Sequence, residues 1–185
     1  LKGRADYAFI QHIIKSLSKK GRTAILLPHG VLFRDAEEDI REKLVQDDKL
    51  ETVIGLPKDM FYNSPMEACI MIFHNNKTAK RKNHVLFINA IKDFERIDKK
   101  NFVNESHIKK ISDAYEKFET VKDFTYVAHT DEIKQNNNLL SIPLYVKTKI
   151  KDKGPTPKIA VKNWQQSKSN LFESLKSITK EIGKE

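Results

Sequence analysis

The chain has 185 residues, of which 39% are hydrophobic and 32% charged, which fits one globular domain with an appendage and excludes both two full enzyme domains and a disordered chain. No segment approaches the ~20 apolar residues of a membrane-spanning helix, and LKGRADYAF at the start lacks a secretory signal. The formal net charge of +9 is uneven: zero over residues 1–76, +5 over 77–100, −2 over 101–146 and +6 over 147–185. Such patches suit a polyanion partner, and they equally suit a soluble lysine-rich surface.

In chain order, Phe9, Ile10, Ile13, Ile14 and Leu17 recur at helical spacing, with Gly21 as a stop. TAILLP, ended by Pro28, is a continuous apolar run of the kind buried on both faces of a sheet. Asp35, three residues before Glu38, predicts a capping box for a helix through Ile40, Leu44 and Val45. LETVIGLP reads as a second buried strand, and ACIMIF and HVLFINA as a hairpin with a long basic tip. Ile108, Ile111, Tyr115 and Phe118 mark a helix behind Asn104 or Ser106.

Three parts follow: an α/β domain over 1–146, a Gly- and Pro-containing linker over 147–158 and a helical tail over 159–185. In the tail, Trp164, Leu171, Leu175, Ile178 and Ile182 form an a/d seam broken by Lys168. A short coiled coil and a helix packed on its own domain both fit that pattern.

The six glycines are scattered, so neither a dinucleotide-binding nor a P-loop fingerprint is present. The histidines lack metal-ligand spacing, and the single cysteine, Cys69, excludes multi-cysteine metal sites and points to a reducing, cytoplasmic setting. No catalytic constellation emerges. Two loops stand out. LPHGVLFR places His29 and Gly30 just beyond the carboxyl end of a strand, where open α/β sheets bind ligands. LPKDMFYNSPMEA puts Phe61 and Tyr62 side by side between strands, where they either stack on a base or fold back into the core. Lys77, Lys80, Arg81 and Lys82 form either a DNA-phosphate contact or a solvated hairpin tip.

The succession GRADYAF, AILLPHGVLFR, IREKL, VIGLP, MFYNSPMEACIMIF and VLFINA resembles the methyltransferase (M) subunit of type I restriction–modification systems, adenine-specific DNA methyltransferases, over about residues 2–146. HIKKISDAYEKF and EIKQNNNLLSIPLYV resemble the end of that catalytic domain, with Leu144 where the family more often has arginine. The resemblance implies the C-terminal half of a Rossmann-like fold that uses S-adenosylmethionine, plus the helical tail. Ala5–Leu17 would follow the catalytic strand, Thr23–Pro28 would be the next strand, and Ala68–Phe73 would run antiparallel between its two neighbours. It also implies a target-base pocket at Phe61, Tyr62, Asn63, His29 and Gly30. The family's glycine loop and Asn-Pro-Pro-Tyr/Phe tetrapeptide are absent, so the 185 residues by themselves are expected to be inactive and to belong to something longer than a chain starting at Leu1. The implied partners are DNA, a specificity subunit met by the tail seam, and a nuclease subunit. Loss of a parallel neighbour beside Thr23–Pro28 would leave an open edge prone to self-association. The alternative is a non-catalytic DNA-binding or assembly module that complements a separate methyltransferase half.

Overall fold

The computed structural model describes residues 4–62, 64–147 and 157–182, with the side chains of 157–160 and 177–182 outside the description. The chain divides into two compact units, residues 1–149 and 150–185. In the first unit the order is α1 (Asp6–Ser16), β1 (Arg22–Pro28), α2 (Glu38–Gln46), β2 (Leu50–Gly55), β3 (Ala68–His74), β4 (His84–Asn89), β5 (Glu95–Ile97), β6 (Lys100–Phe102), α3 (Glu105–Lys117), β7 (Thr125–His129), α4 (Thr130–Gln135) and α5 (Ile142–Tyr145). The second unit contains one long helix, α6 (Pro157–Ile182).

Five strands form a mixed sheet in the order β1-β3-β2-β4-β7, and β5 with β6 makes a separate two-stranded ribbon. β3 runs antiparallel between β1 and β2, β2 is parallel to β4, and β7 is antiparallel to β4. Strand alternation sends successive side chains to opposite faces. Val53, Met71, Phe73, Val85 and Phe87 therefore join Tyr7, Ile10, Leu44 and Ile133 in one core. Ile54, Leu86 and Ile88 join Phe118, Ile111 and Tyr115 in the other.

Three local expectations need correction. β3 and β4 are not a hairpin, because β2 lies between them and the segment from Asn75 to Asn83 crosses the start of that strand. β1 is not buried on both faces, since Leu26 remains 53% exposed; its open edge is as expected, with no strand paired to its outer side among the described residues. The Asp35–Glu38 capping box does not form: Asp35–Glu37 is a 3₁₀ turn, and α2 starts at Glu38 behind Glu37 without a side-chain cap. The second helix start behaves as its sequence indicates. Asn104 accepts a hydrogen bond from the His107 N–H, and the His107 ring accepts one from the Asn104 N–H.

Candidate functional site

The two conspicuous loops meet because β1 and β3 pair in antiparallel register, with Pro28 opposite Ala68. The end of β1 is thereby set against the segment that leads into β3. The His29 N–H donates to the Glu67 carbonyl at 3.1 Å, and His29 Nδ1 lies 3.3 Å from Glu67 Oε2. On the other side of this junction Phe61 bridges to Ser64, which folds the loop into a tight return. An open groove of about 240 Å³ results, with Leu26, Pro28, Phe61, Met66 and Ala68 as its apolar walls and Ser64 and Glu67 as its polar groups. Its volume lies below the ~300 Å³ at the lower end of drug-sized ligand pockets.

The five residues named for a base pocket separate within this geometry. Phe61 is half-buried; it packs on the Ile54, Leu56 and Ala68 core, as the core-packing alternative expects, and still lines the groove. His29 stands behind the rim, edge-on to Phe33, its Nε2 buried without a hydrogen-bond partner among the described residues. Gly30 faces Arg34, whose guanidinium would lie 3.1 Å from an added Cβ and already binds Asp6 and Glu37. Tyr62 projects outward, 83% exposed, beneath the Lys100 ammonium 3.3 Å from its ring centroid. Asn63 lies outside the described residues. Leu26, Met66 and Glu67 were not singled out from the sequence, since only the β1–β3 register brings them to Phe61. Cys69 is an inert packing thiol whose burial pushes its pKa up to about 12.

The basic loop is a different matter, and two of its four residues must be corrected. Lys77 is buried, with Nζ 2.5 Å from Asp48 Oδ1 and 2.9 Å from the His84 carbonyl oxygen; burial pushes its pKa down, against the pull of Asp48. Arg81 lies over the rings of Tyr115 and Phe118 and binds Glu51 Oε1 at 3.0 Å and the Tyr115 carbonyl at 2.9 Å. Both cations are thus committed to partners within the chain. Lys80 and Lys82 are exposed, although Lys80 Nζ donates to the Lys117 carbonyl. The loop also sits at the opposite end of the sheet from the groove, about 20 Å away along the seven residues of β3.

Glu51, fully buried, is the hub beneath that loop. It accepts hydrogen bonds from Tyr115 Oη at 2.5 Å and from Arg81, and lies 3.0 Å from His74 Nδ1. Burial alone would raise its pKa, but Tyr115, His74 and Arg81 together hold it below the ordinary carboxylate value.

In α6, Trp164, Leu171 and Leu175 are exposed along with Val161 and Phe172; the side chains of Ile178 and Ile182 and most of the expected linker, 148–156, lie outside the described residues. No helix among the described residues is long and apolar enough to cross a membrane.

Comparison with known proteins gives a consistent picture. Residues 1–153 match the N-6 DNA methylase family. The type I restriction enzyme MjaVIII methylase subunit of Methanocaldococcus jannaschii is 38% identical over 149 residues, 78% of this chain and 25% of that protein. The HindI methylase subunit of Haemophilus influenzae is 34% identical, over 80% of this chain and 35% of its own length. Among solved structures, the type I restriction-modification methyltransferase subunit from Streptococcus thermophilus is similar with a TM-score of 0.74 and 39% identity, covering 78% of this chain and 31% of that one. The chain thus spans about a quarter to a third of the length of these relatives.

Proposed function

This chain belongs to the N-6 DNA methylase family, and we propose that it forms the target-base side of an adenine-modifying cleft in a type I M subunit. The observation that supports this reading most directly is the groove in which Pro28, Phe61 and Glu67 converge at the carboxyl end of β1. An adenine amine inside a duplex is out of reach, so the base must leave the stack and be held in a pocket. Phe61 offers a ring face for it, and His29 and Glu67 fix the loop around it.

We further read the sheet as the C-terminal half of a Rossmann-like methyltransferase, extended across the open edge of β1 by strands of a longer protein, or by a second copy in their absence. S-adenosylmethionine is the expected methyl donor, but the described residues do not fit it. Gly30 is backed by the Arg34 guanidinium, the side chain of Ile142 would lie 2.5 Å from a Cβ added at Gly55, and the groove is mainly apolar with one carboxylate. No step of the reaction is therefore assigned to these residues beyond holding the base. The exposed stripe of α6 supports docking of a specificity subunit, with a nuclease subunit and DNA as further members of the assembly.

The test is methyl transfer followed by mass spectrometry of DNA nucleosides. The 185 residues incubated with DNA and S-adenosylmethionine should yield no N6-methyladenine. In the intact subunit, Phe61→Ala should lower the yield at least about fivefold, on the scale of losing a ~1–3 kcal/mol base-stacking contact. Methylation by the 185 residues, or an unimpaired Phe61→Ala subunit, would contradict the reading.

A further inference from the structure

We propose that the β5–β6 ribbon is a phosphate-binding arm beside the aromatic loop, with Lys100 contacting the phosphodiester backbone of a DNA strand. The inference rests on reading the Phe61 groove as a base site, and it adds a contact to the strand that carries the base. The decisive feature is the state of one ammonium. Lys100 Nζ is buried at its tip, has no hydrogen-bond partner among the described residues, and lies 3.3 Å from the centroid of the Tyr62 ring. An ammonium has three strong donors and is costly to desolvate without an acceptor. A ring face balances part of the charge and accepts none of those hydrogen bonds.

The arm is fixed in place rather than free. Asn101, buried beside Lys100, donates from Nδ2 to the Lys58 carbonyl at 2.8 Å and from its N–H to the Asp59 carbonyl at 3.1 Å. These bonds tie β6 to the segment that carries Met60, Phe61 and Tyr62. Arg96 on β5 is half-exposed, donates to Asn101 Oδ1 at 3.1 Å, and stands 3.6 Å from Asp59, so the nearby carboxylate is already matched by a cation other than Lys100. Lys58 and Lys99 are exposed at the same end. The ribbon also holds Glu95 and Asp98, so the segment is not a general polycation, and its distinguishing group is the one lysine held over an aromatic ring. Turning the exposed Tyr62 ring off the ammonium opens Lys100 to a phosphate oxygen of a strand crossing this surface, while the bases of that strand reach the freed Tyr62 ring and Phe61, the pairing of cation and ring by which single strands are commonly held.

The experiment is fluorescence anisotropy of a short labelled single strand, with and without bases, titrated with the 185-residue chain over a range of salt. Lys100→Gln should weaken binding of both the normal and the abasic strand about fivefold near 0.1 M salt, and reduce the salt slope by about 0.7. Lys100→Arg should bind as the unaltered chain does, and circular dichroism should show both variants folded. Phe61→Ala should weaken only the strand that carries bases. Unchanged affinity and slope for Lys100→Gln, a loss restricted to the base-bearing strand, or no binding of either strand by the unaltered chain would overturn the proposal. A loss with Lys100→Gln on both strands alongside normal binding by Phe61→Ala would keep the arm and remove the base site.

Discussion

The loop that crosses the start of β2 and the loop that leaves its end both carry conspicuous residues, and the fold uses them in opposite ways. At the start, cations outnumber acids in the local sequence, yet Lys77 closes on Asp48 and Arg81 on Glu51, both acids borrowed from the strand being crossed and the turn before it. The Asn83 N–H adds a bond to Asp48 Oδ2. At the end, Phe61 keeps one side in the groove and Tyr62 keeps most of its surface in solvent. A crossover connection must be clamped to the strand it passes, and charge supplies the clamp. A loop at the carboxyl ends of strands is free to spend its side chains on a ligand.

The largest effect that could break this contrast is on stability. Arg81→Ala would leave Glu51 buried with one cation fewer, and breaking a buried pair from one side typically costs ~3–5 kcal/mol. Urea denaturation should show a loss of that order, whereas a loss below ~1 kcal/mol would mean the loop is not a clamp. The same variant should bind the labelled single strand as the unaltered chain does once both are folded.

A smaller effect sharpens the same point through pH. Glu51 is held below the ordinary value of 4.5 in the folded chain. Below that value the unfolded chain takes up the proton more readily, so the stabilisation is complete above 4.5 and is lost as pH falls through the folded value. Glu51→Gln should lower stability at neutral pH and show a shallower decline into acid, the two curves converging as pH falls. Parallel curves would place the acid sensitivity elsewhere.

The extent to which these features were legible follows the range of the interaction. Helix α3 was readable because the Asn104 cap and the apolar spacing are local, while the part His107 plays in the capping box came from the structure. β2 was readable because its sequence is apolar enough to be buried along its whole length. Strand order was not readable from the runs themselves: a hairpin and a crossover over β2 leave the same pattern in ACIMIF and HVLFINA, and what separates them is the register of β2 against both. The placement of β3 between β1 and β2 was implied only by family resemblance. Arg81 and Lys77 looked solvated because their partners lie about 30 residues earlier in the chain. The ribbon of β5 and β6 is not legible in the sequence because three-residue strands carry almost no periodic signal, and the buried residue of β6 is the polar Asn101. β7 was missed as well, a short edge strand whose partner β4 is distant in sequence.

The smallest expected effect is the one that isolates position from charge. Lys82 lies in the same basic run as Arg81, is exposed, and sits at the clamped end of the sheet. Replacing it with Gln removes one positive charge, as Lys100→Gln does, without touching the clamp or the aromatic loop. Stability should change by less than ~0.5 kcal/mol, as for surface sites without a structural role. Single-strand affinity at 0.1 M salt should be nearly unchanged, because a charge about 20 Å from the groove lies beyond the ~10 Å Debye length. A loss matching that of Lys100→Gln would show that the strand responds to net charge, and the distinction between the two ends of β2 as DNA-facing and structural surfaces would not hold.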